Sequence, residues 1–485
     1  MTSGAAPHVV VVGGGIAGLA AAFFLKDEHV RVTVLEGASR IGGKLSASDV
    51  AGVPMDEGAE ALLARRPEGI DLITATSLSG ELTQPGTTSS AIWSRGVMRA
   101  LPRRQFMGVP ADIDELAATG VVSGEGIARA KDETVPVPEA GDVSVTQYIG
   151  SRLGVEVVDR LVDPLLGGVY AGRSEDLSFR ATLAPLAAAT REHKVLTDAV
   201  TALLPPRPPA SENQPSENRP SEKPPAIFVT LTTGLGTLPA AVAKASNADV
   251  RTGAMVRELT RTADGWRLTI GSAADPEYMD ADAVILAVPA APAARLLANA
   301  VPAAAAGLAQ IPYASMAIIT LAFRAEDFPA QDRSGYLVPA VDGRAVKATT
   351  FSTVKWPHLA QHAPVAIIRC SVGRAGEVAL LQRDDKDLVA LAARELGDAT
   401  GVAAAPVDSR VTRWGGGLPQ YNVGHLDRVA AIRAAVAGQP GLAVAGAAYD
   451  GVGVPACVAT AKAAVERISR AVKDGSQGGS LGLTI

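Results

Sequence analysis

Val9-Val-Val-Val-Gly13-Gly-Gly15-Ile-Ala-Gly18-Leu-Ala-Ala-Ala-Phe-Phe-Leu25, closed by Val32-Thr-Val-Leu-Glu36, decides the fold. The order is a buried strand, a glycine turn, an apolar helix, a second strand and an acidic residue. That order sets the first turn of a helix against the pyrophosphate of a dinucleotide. Gly13 permits the tight turn, Gly15 lets the backbone approach the phosphates, and Gly18 lets the helix pack close to the sheet. Free N–H groups and the helix dipole meet the negative charge. Glu36 lies near the ~20-residue offset of the carboxylate that accepts hydrogen bonds from the ribose hydroxyls. The plainer reading of this uncharged run is an export signal or membrane anchor. Against it, the flank carries His8 and no Lys or Arg, and the run is short and glycine-rich for a span of ~20 apolar residues. A dinucleotide site is the expectation.

Outward from Glu36 comes Arg40-Ile-Gly42-Gly43-Lys44, then Met55-Asp56-Glu57-Gly58-Ala59-Glu60-Ala61. Adjacent glycines let the backbone pass close to a flat or charged ligand, and an arginine such as Arg40 can reach a phosphate. A turn with a solvated arginine would look the same in isolation. Directly behind a dinucleotide fingerprint, the segment reads as one laid over an extended FAD. Near the other end, Gly446-Ala-Ala-Tyr449-Asp450-Gly451-Val-Gly453-Val454-Pro455-Ala-Cys457-Val458 is a glycine-rich turn into a helix. It again aims N–H groups at something anionic or polarisable.

The chain has 485 residues, enough for two or three domains with substantial cores. Hydrophobic residues make up 47% and charged residues 20%, so it is globular and somewhat apolar. A formal net charge of −5 argues against nucleic acid as a partner. Cys370 and Cys457 form no disulfide framework and no CxxC pair, which suits a reducing cytoplasm. The six histidines show no metal-ligand spacing, and no metal is expected. The most membrane-like stretch, Pro289 to Ala309, contains Pro292, Arg295, Asn299 and Pro302. Membrane contact would then be peripheral.

Residues 204–225 repeat Pro-Ser-Glu and read as a disordered surface insert. After it, strand signals fall at Ile227–Thr230, Val250–Val256, Gly265–Ile270 and Ala283–Pro289, with a second sheet at Met316–Phe323 and Val365–Arg369. Residues 97 to 200 look mostly helical. Gly441–Gly446 is a buried strand, and a helix runs from Pro455 to Arg470.

Three further motifs carry a resemblance: Val162-Asp-Pro-Leu-Leu-Gly-Gly168-Val-Tyr-Ala-Gly172, Arg413-Trp414-Gly-Gly-Gly-Leu-Pro-Gln-Tyr-Asn-Val-Gly-His425, and Tyr449-Asp-Gly-Val-Gly-Val-Pro455. With them the chain resembles the oxygen-dependent coproporphyrinogen III and protoporphyrinogen oxidases of haem biosynthesis, in their Gram-positive and actinobacterial form. These belong to the amine-oxidase-like FAD superfamily. The resemblance covers nearly all of the chain except the proline-rich insert.

It implies an α/β fold with a discontinuous, Rossmann-like FAD-binding domain of the amine-oxidase/PHBH-like type, over 1–85, 226–295 and 426–474. A mixed-sheet α+β substrate domain would take 86–96 and 296–425, a helical, membrane-binding-like domain 97–203, and a flexible tail 475–485. FAD would be held by Gly13, Gly14, Gly15, Ile16, Ala17, Gly18, Glu36, Gly37, Arg40, Gly43 and Lys44. Gly58, Ala59, Glu60, Ala61, Val256, Trp414, Gly453, Val454 and Pro455 would complete the cofactor site. Gly168 falls where the family brings backbone close to the tetrapyrrole.

The implied reaction oxidises coproporphyrinogen III to coproporphyrin III in three two-electron steps, with O2 as acceptor and hydrogen peroxide released. Hydride would leave a methylene bridge for flavin N5, so no catalytic side chain is nominated. Four propionates call for cationic partners, and Arg65 and Arg66 are the candidates, with Arg95 and Arg99 behind them and Arg103-Arg104 read as a solvated pair. Protoporphyrinogen IX is the alternative substrate. Another amine-oxidase-like flavoenzyme and a non-catalytic porphyrin carrier with bound FAD are the competing functions. Expected partners are the porphyrinogen, O2 and a ferrochelatase receiving product, with the chain a monomer or homodimer, cytoplasmic or peripherally attached to a membrane.

Overall fold

The computed structural model describes residues 6–134, 141–206 and 227–478. Most of the proline-rich insert expected at 204–225, from 207 onward, lies outside these residues, as does the expected tail beyond 478. Leu204, placed in that insert, instead packs at the edge of the helical core. Two regions carry the chemistry-bearing motifs: a parallel sheet and a larger mixed sheet.

The parallel sheet starts with β1 (His8–Val12), whose five residues are all buried. After the glycine turn comes α1 (Ile16–Leu25), then β2 (Arg31–Leu35). The sheet order is Asp249–Arg251, β2, β1, Ala283–Leu286, Leu442–Val444. Every neighbouring pair is parallel. Strands far apart in sequence therefore share one sheet, as fully apolar runs do when both faces are covered. One face is covered by α1, the Leu238–Ser246 helix and the C-terminal helix Val454–Gly478. Arg467 ties that last helix down, donating to the carbonyls of Leu442, Val436, Ala437 and Gln439.

The stretch read as a single strand signal, Val250 to Val256, is in fact split. Asp249–Arg251 closes the parallel sheet, whereas Val256–Arg261 opens a three-stranded antiparallel sheet with Trp266–Gly271 and Pro276–Ala281. Gly253, at φ 66°, makes the break.

The larger sheet has seven strands in the order Asp408–Pro419, Tyr313–Arg324, Val365–Val372, Val346–Phe351, Gly335–Leu337, Ser90–Ser94, Val97–Ala100. All pairs are antiparallel except Gly335–Leu337 with Ser90–Ser94, which is parallel. The Asp385–Thr400 helix contributes Leu388, Ala392 and Leu396 to the core on one face. The other face carries Arg369 toward Gly58 and Glu60. The region expected to be helical from residue 97 instead begins with strands, Val97–Ala100 in the larger sheet and Gln105–Phe106 paired with Val109–Pro110, and its short helices lie between Ile113 and Leu203 around a core that Ile92 and Tyr421 join. No helix among the described residues is long and apolar enough to cross a membrane.

Candidate flavin site

The glycine turn behaves as its spacing requires. Gly13 adopts φ 111°, and a Cβ there would stand 2.6 Å from the Ala287 carbonyl oxygen. A Cβ on Gly18 would stand 1.9 Å from the Gly13 carbonyl oxygen, so only glycine lets α1 approach the turn. Gly15 differs: a Cβ there would meet nothing within 4 Å. Its surroundings are open, at the N-cap of a helix with no side-chain cap and no acidic residue in its first turn. Ile16 and Ala17 begin that turn, and its backbone donors are available to an anion.

Glu36 follows β2 at the same edge of the sheet. Its carboxylate accepts the Gly14 and Ala38 N–H groups, both at 2.7 Å. Gly37 is fixed by crowding, since a Cβ would lie 2.6 Å from the Met255 methyl carbon. The chain at 251–254 binds back to this corner, with Glu36 donating its N–H to Arg251 O and Ala254 donating to Glu36 O, each at 2.8 Å. Val256, just beyond, is buried at the edge of the second core.

Arg40, expected to reach a phosphate, is exposed at this corner. It folds over its own loop and donates to the carbonyls of Gly43 at 2.9 Å and Ile41 at 3.2 Å. The loop itself lies on the turn: Gly42 donates to Gly14 O at 2.8 Å, and a Cβ on Gly43 would sit 3.4 Å from the Gly15 Cα. Lys44 carries no hydrogen bond or ion pair among the described residues, and burial lowers its pKa, only partly countered by Cys457. A half-buried ammonium without a carboxylate needs an anion or a ligand acceptor.

The second strip, Gly58 to Ala61, is clamped against this loop. A Cβ on Gly58 would stand 1.9 Å from the Lys44 carbonyl oxygen and 3.3 Å from the Trp414 ring. Trp414 donates its indole N–H to Glu57 O at 3.0 Å. Glu60 has its carboxylate engaged: Lys355 donates to it at 2.6 Å, and Arg369 pairs with its other oxygen while donating to Gly58 O at 2.7 Å. Burial alone would raise the Glu60 pKa, but these two cations hold it down to about 2. Glu60 thus offers backbone, not a free carboxylate, to a ligand. Ala59 and Ala61 flank it and place no charged group near the clamp.

The third strip is the turn from Gly446 to Pro455. Gly446 at φ 122° and Gly451 at φ 141° are positions where a side chain would be strained. The Tyr421 hydroxyl donates to Ala447 O at 2.6 Å and accepts the Gly451 N–H at 2.7 Å. Tyr421 stacks on His425 with centroids 3.9 Å apart and planes 13° from parallel. Gly453 then leads into the C-terminal helix at Val454 and Pro455, with Cys457 donating its N–H to Gly453 O at 3.0 Å.

Arg65 and Arg66 stand beside this third strip. Arg66 precedes α2 (Pro67–Thr74), pairs with Glu68 at 2.8 Å, and lies within the field of Asp450. Arg65 is exposed and has no ion pair among the described residues. A Cβ on Gly69 of α2 would be 3.2 Å from Pro455, which brings the arginines to the start of the C-terminal helix. Gly168 is on the Asp163–Tyr170 helix, exposed, with Leu337 of the larger sheet its nearest neighbour. Arg95 and Arg99 are drawn elsewhere: Arg95 binds Val121 O and Glu156, and Arg99 lies against Gly120. Arg104 donates to Pro205 O at 3.0 Å.

Sequence reasoning missed Arg369, Lys355 and the role of Tyr421. A lone arginine in the apolar run Val365-Ala-Ile-Ile-Arg369-Cys-Ser-Val372 was a signal. Nothing local pairs it with residues more than 300 positions earlier.

Fold and site together define a flavin-dependent oxidoreductase. Residues 16–469 match the family of flavin containing amine oxidoreductases, and the chain belongs to it. Within that family it is 38% identical over 471 residues to the coproporphyrinogen III oxidase of Mycobacterium tuberculosis, covering 95% of this chain and 97% of that one. The coproporphyrinogen III oxidase of Bacillus subtilis is 30% identical, with 94% and 97% covered. A crystal structure from Exiguobacterium sp. 255-15, assigned as a protoporphyrinogen oxidase, superposes with a TM-score of 0.82 at 29% identity, covering 97% of this chain and 99% of that one. Cyclohexylamine oxidase from Brevibacterium oxydans shares the fold at a TM-score of 0.67 and 18% identity, with 97% and 100% covered.

Proposed function

We propose that this chain oxidises coproporphyrinogen III to coproporphyrin III with FAD as cofactor and O2 as acceptor. The carrying observation is an open dinucleotide cradle at the C-terminal edge of the parallel sheet, in a chain alike over nearly its whole length to coproporphyrinogen III oxidases. The residues present fit FAD: an uncapped helix N-terminus beside an unobstructed Gly15 for the pyrophosphate, Glu36 at the end of β2 for the ribose, and Lys44 without a carboxylate partner among the described residues.

The overall change is coproporphyrinogen III plus three O2 giving coproporphyrin III plus three H2O2, so six electrons and six protons leave the macrocycle. Bound flavin supplies the two-electron oxidation at each step. The protein's own contribution is placement. Gly58 and Trp414 keep the second strip close, and Tyr421 holds the Gly446–Pro455 turn in one shape. The C-terminal helix directs its positive end toward that turn, where Gly453, Val454 and Pro455 would favour a ligand group carrying negative charge. Protons leave from ring N–H groups to water, so no side chain is needed as a base.

Arg65, Arg66 and Gly168 serve the substrate in this reading: the guanidinium groups take propionate carboxylates, and the bare glycine admits the flat macrocycle. Product would pass to a ferrochelatase. The decisive experiment compares porphyrin fluorescence appearing from coproporphyrinogen III and from protoporphyrinogen IX as kcat/KM. A preference for the two-propionate substrate would reverse the assignment, and no anaerobic bleaching of the flavin by either would leave only a carrier.

A further inference from the structure

Lys347 is 4% exposed and makes no hydrogen bond or ion pair among the described residues. It stands where the strand pairing of Val346–Phe351 with Val365–Val372 slips: Val346 faces Val372 and Ala348 faces Ser371, leaving Lys347 as the extra residue. Such bulges re-aim a side chain and are found beside active sites. An unpaired buried ammonium is costly, and burial, reinforced by the charge of Arg374, pushes its pKa down to about 7.

The surroundings are cationic. Arg374, also buried, spends its donors on the carbonyls of Arg344 at 3.1 Å and Val338 at 3.4 Å. Arg173, just past the Gly-Gly-Val-Tyr-Ala-Gly motif, donates to Ala375 O at 3.3 Å. Glu377 is the one carboxylate shared by Arg173 and Arg374, at 3.6 Å from each, beyond hydrogen-bond reach. Glu377 also accepts the Arg374 backbone N–H at 3.3 Å, so among the described residues Lys347, Arg173 and Arg374 share this one carboxylate.

The cluster borders the motif helix. Ala375 donates its N–H to Ala171 O at 2.7 Å, and Val338 donates to Lys347 O at 2.9 Å. Leu337, paired with Ala348, is the residue against Gly168.

We propose that Lys347, with Arg173 and Arg374 around it, forms a carboxylate-binding subsite that takes one propionate of the substrate, beside the helix that carries Gly168. This rests on the porphyrinogen reading given above. The bulge places the lysine within the field of Arg374, and the substrate carboxylate completes its pairing. Arg65 and Arg66, at the start of the C-terminal helix, are then partners for other propionates.

The test uses FAD-loaded protein and coproporphyrin III, with its tetramethyl ester in mild detergent as the uncharged control. In Lys347→Met, coproporphyrin III should bind about tenfold more weakly, the loss of one charge-assisted contact. Ester binding should not change, KM for coproporphyrinogen III should rise with kcat kept, and Tm should hold or increase because an unpaired buried charge is gone. Lys347→Arg should recover part of the affinity. Glu377→Gln, which removes the competing carboxylate, should tighten coproporphyrin III binding and serves if the first variant does not fold. A folded Lys347→Met protein that binds coproporphyrin III as the parent does overturns the subsite, as does weaker binding in Glu377→Gln. If the parent protein oxidises neither porphyrinogen, it is the functional reading that fails.

Discussion

The hydroxyl of Tyr421 accepts the N–H of Gly451 at 2.7 Å, across 30 positions of chain. The same oxygen donates to Ala447, so one side chain spans both ends of the turn that precedes the C-terminal helix. Tyr421→Phe keeps the ring stack on His425 and removes both bonds. Two buried backbone groups lose their partner, a loss of about 2 kcal/mol in stability. Differential scanning calorimetry should show a lower Tm, and FAD titration a several-fold weaker Kd. A variant that retains FAD with parent affinity would show that the turn is held by other contacts.

His425 is fully buried, and burial depresses its pKa to about 4 from an ordinary 6.5. Between those values the unfolded chain binds the proton and the folded one does not. Stability from this group is therefore intact above pH 6.5 and falls as pH drops toward 4, by up to about 3 kcal/mol. Thermal melts over that range should steepen in the parent protein and flatten in His425→Phe. Parallel curves for the two would assign the acid loss to other groups.

Glu60 neutralises Lys355 and Arg369 together. Glu60→Gln leaves two cations in a nearly dry site, and breaking such a pair costs about 3 kcal/mol. Urea unfolding should register it as a lower midpoint with an unchanged slope. Because the folded pKa is depressed to about 2, the parent protein should lose this contribution only as pH falls from the usual carboxylate range toward 2. The variant should lack that acid transition.

Two glycine substitutions separate fold from cofactor. Gly58→Ala drives a methyl into the Lys44 carbonyl, at 1.9 Å, and should destabilise the protein by more than about 2 kcal/mol. Gly15→Ala meets no protein atom within 4 Å, so the apoprotein should melt as the parent does. The methyl would instead occupy the space proposed for pyrophosphate, and FAD affinity should fall at least about tenfold. Unimpaired FAD binding in Gly15→Ala would move the cofactor away from the turn.

Replacing Arg65 and Arg66 by Gln together should raise KM for coproporphyrinogen III more than for protoporphyrinogen IX, by about tenfold against threefold, since more carboxylates lose a partner. Steady-state kinetics on both substrates checks it. Equal changes would confine these arginines to the Glu68 pair and the protein surface.

Much of this was readable along the chain. The strand–turn–helix order, the open character of Gly15 and the glycine turn before the C-terminal helix follow from backbone constraints that act within a few residues. The Rossmann-like core was legible because parallel strands covered on both faces show as apolar runs. The division at Gly253 was not, because two short strands joined by only a few residues read as one.

By itself, then, the sequence determined the dinucleotide-type fold, the three glycine-rich strips and the membership signalled by its central motifs. Only the tertiary structure decided how charges are shared. Glu60 found Lys355 and Arg369, Tyr421 found Gly451, and Lys347 is left without an ion pair among the described residues. Backbone geometry is a local property of residue type, whereas the pairing or isolation of a buried charge depends on what distant strands bring to the same few ångströms.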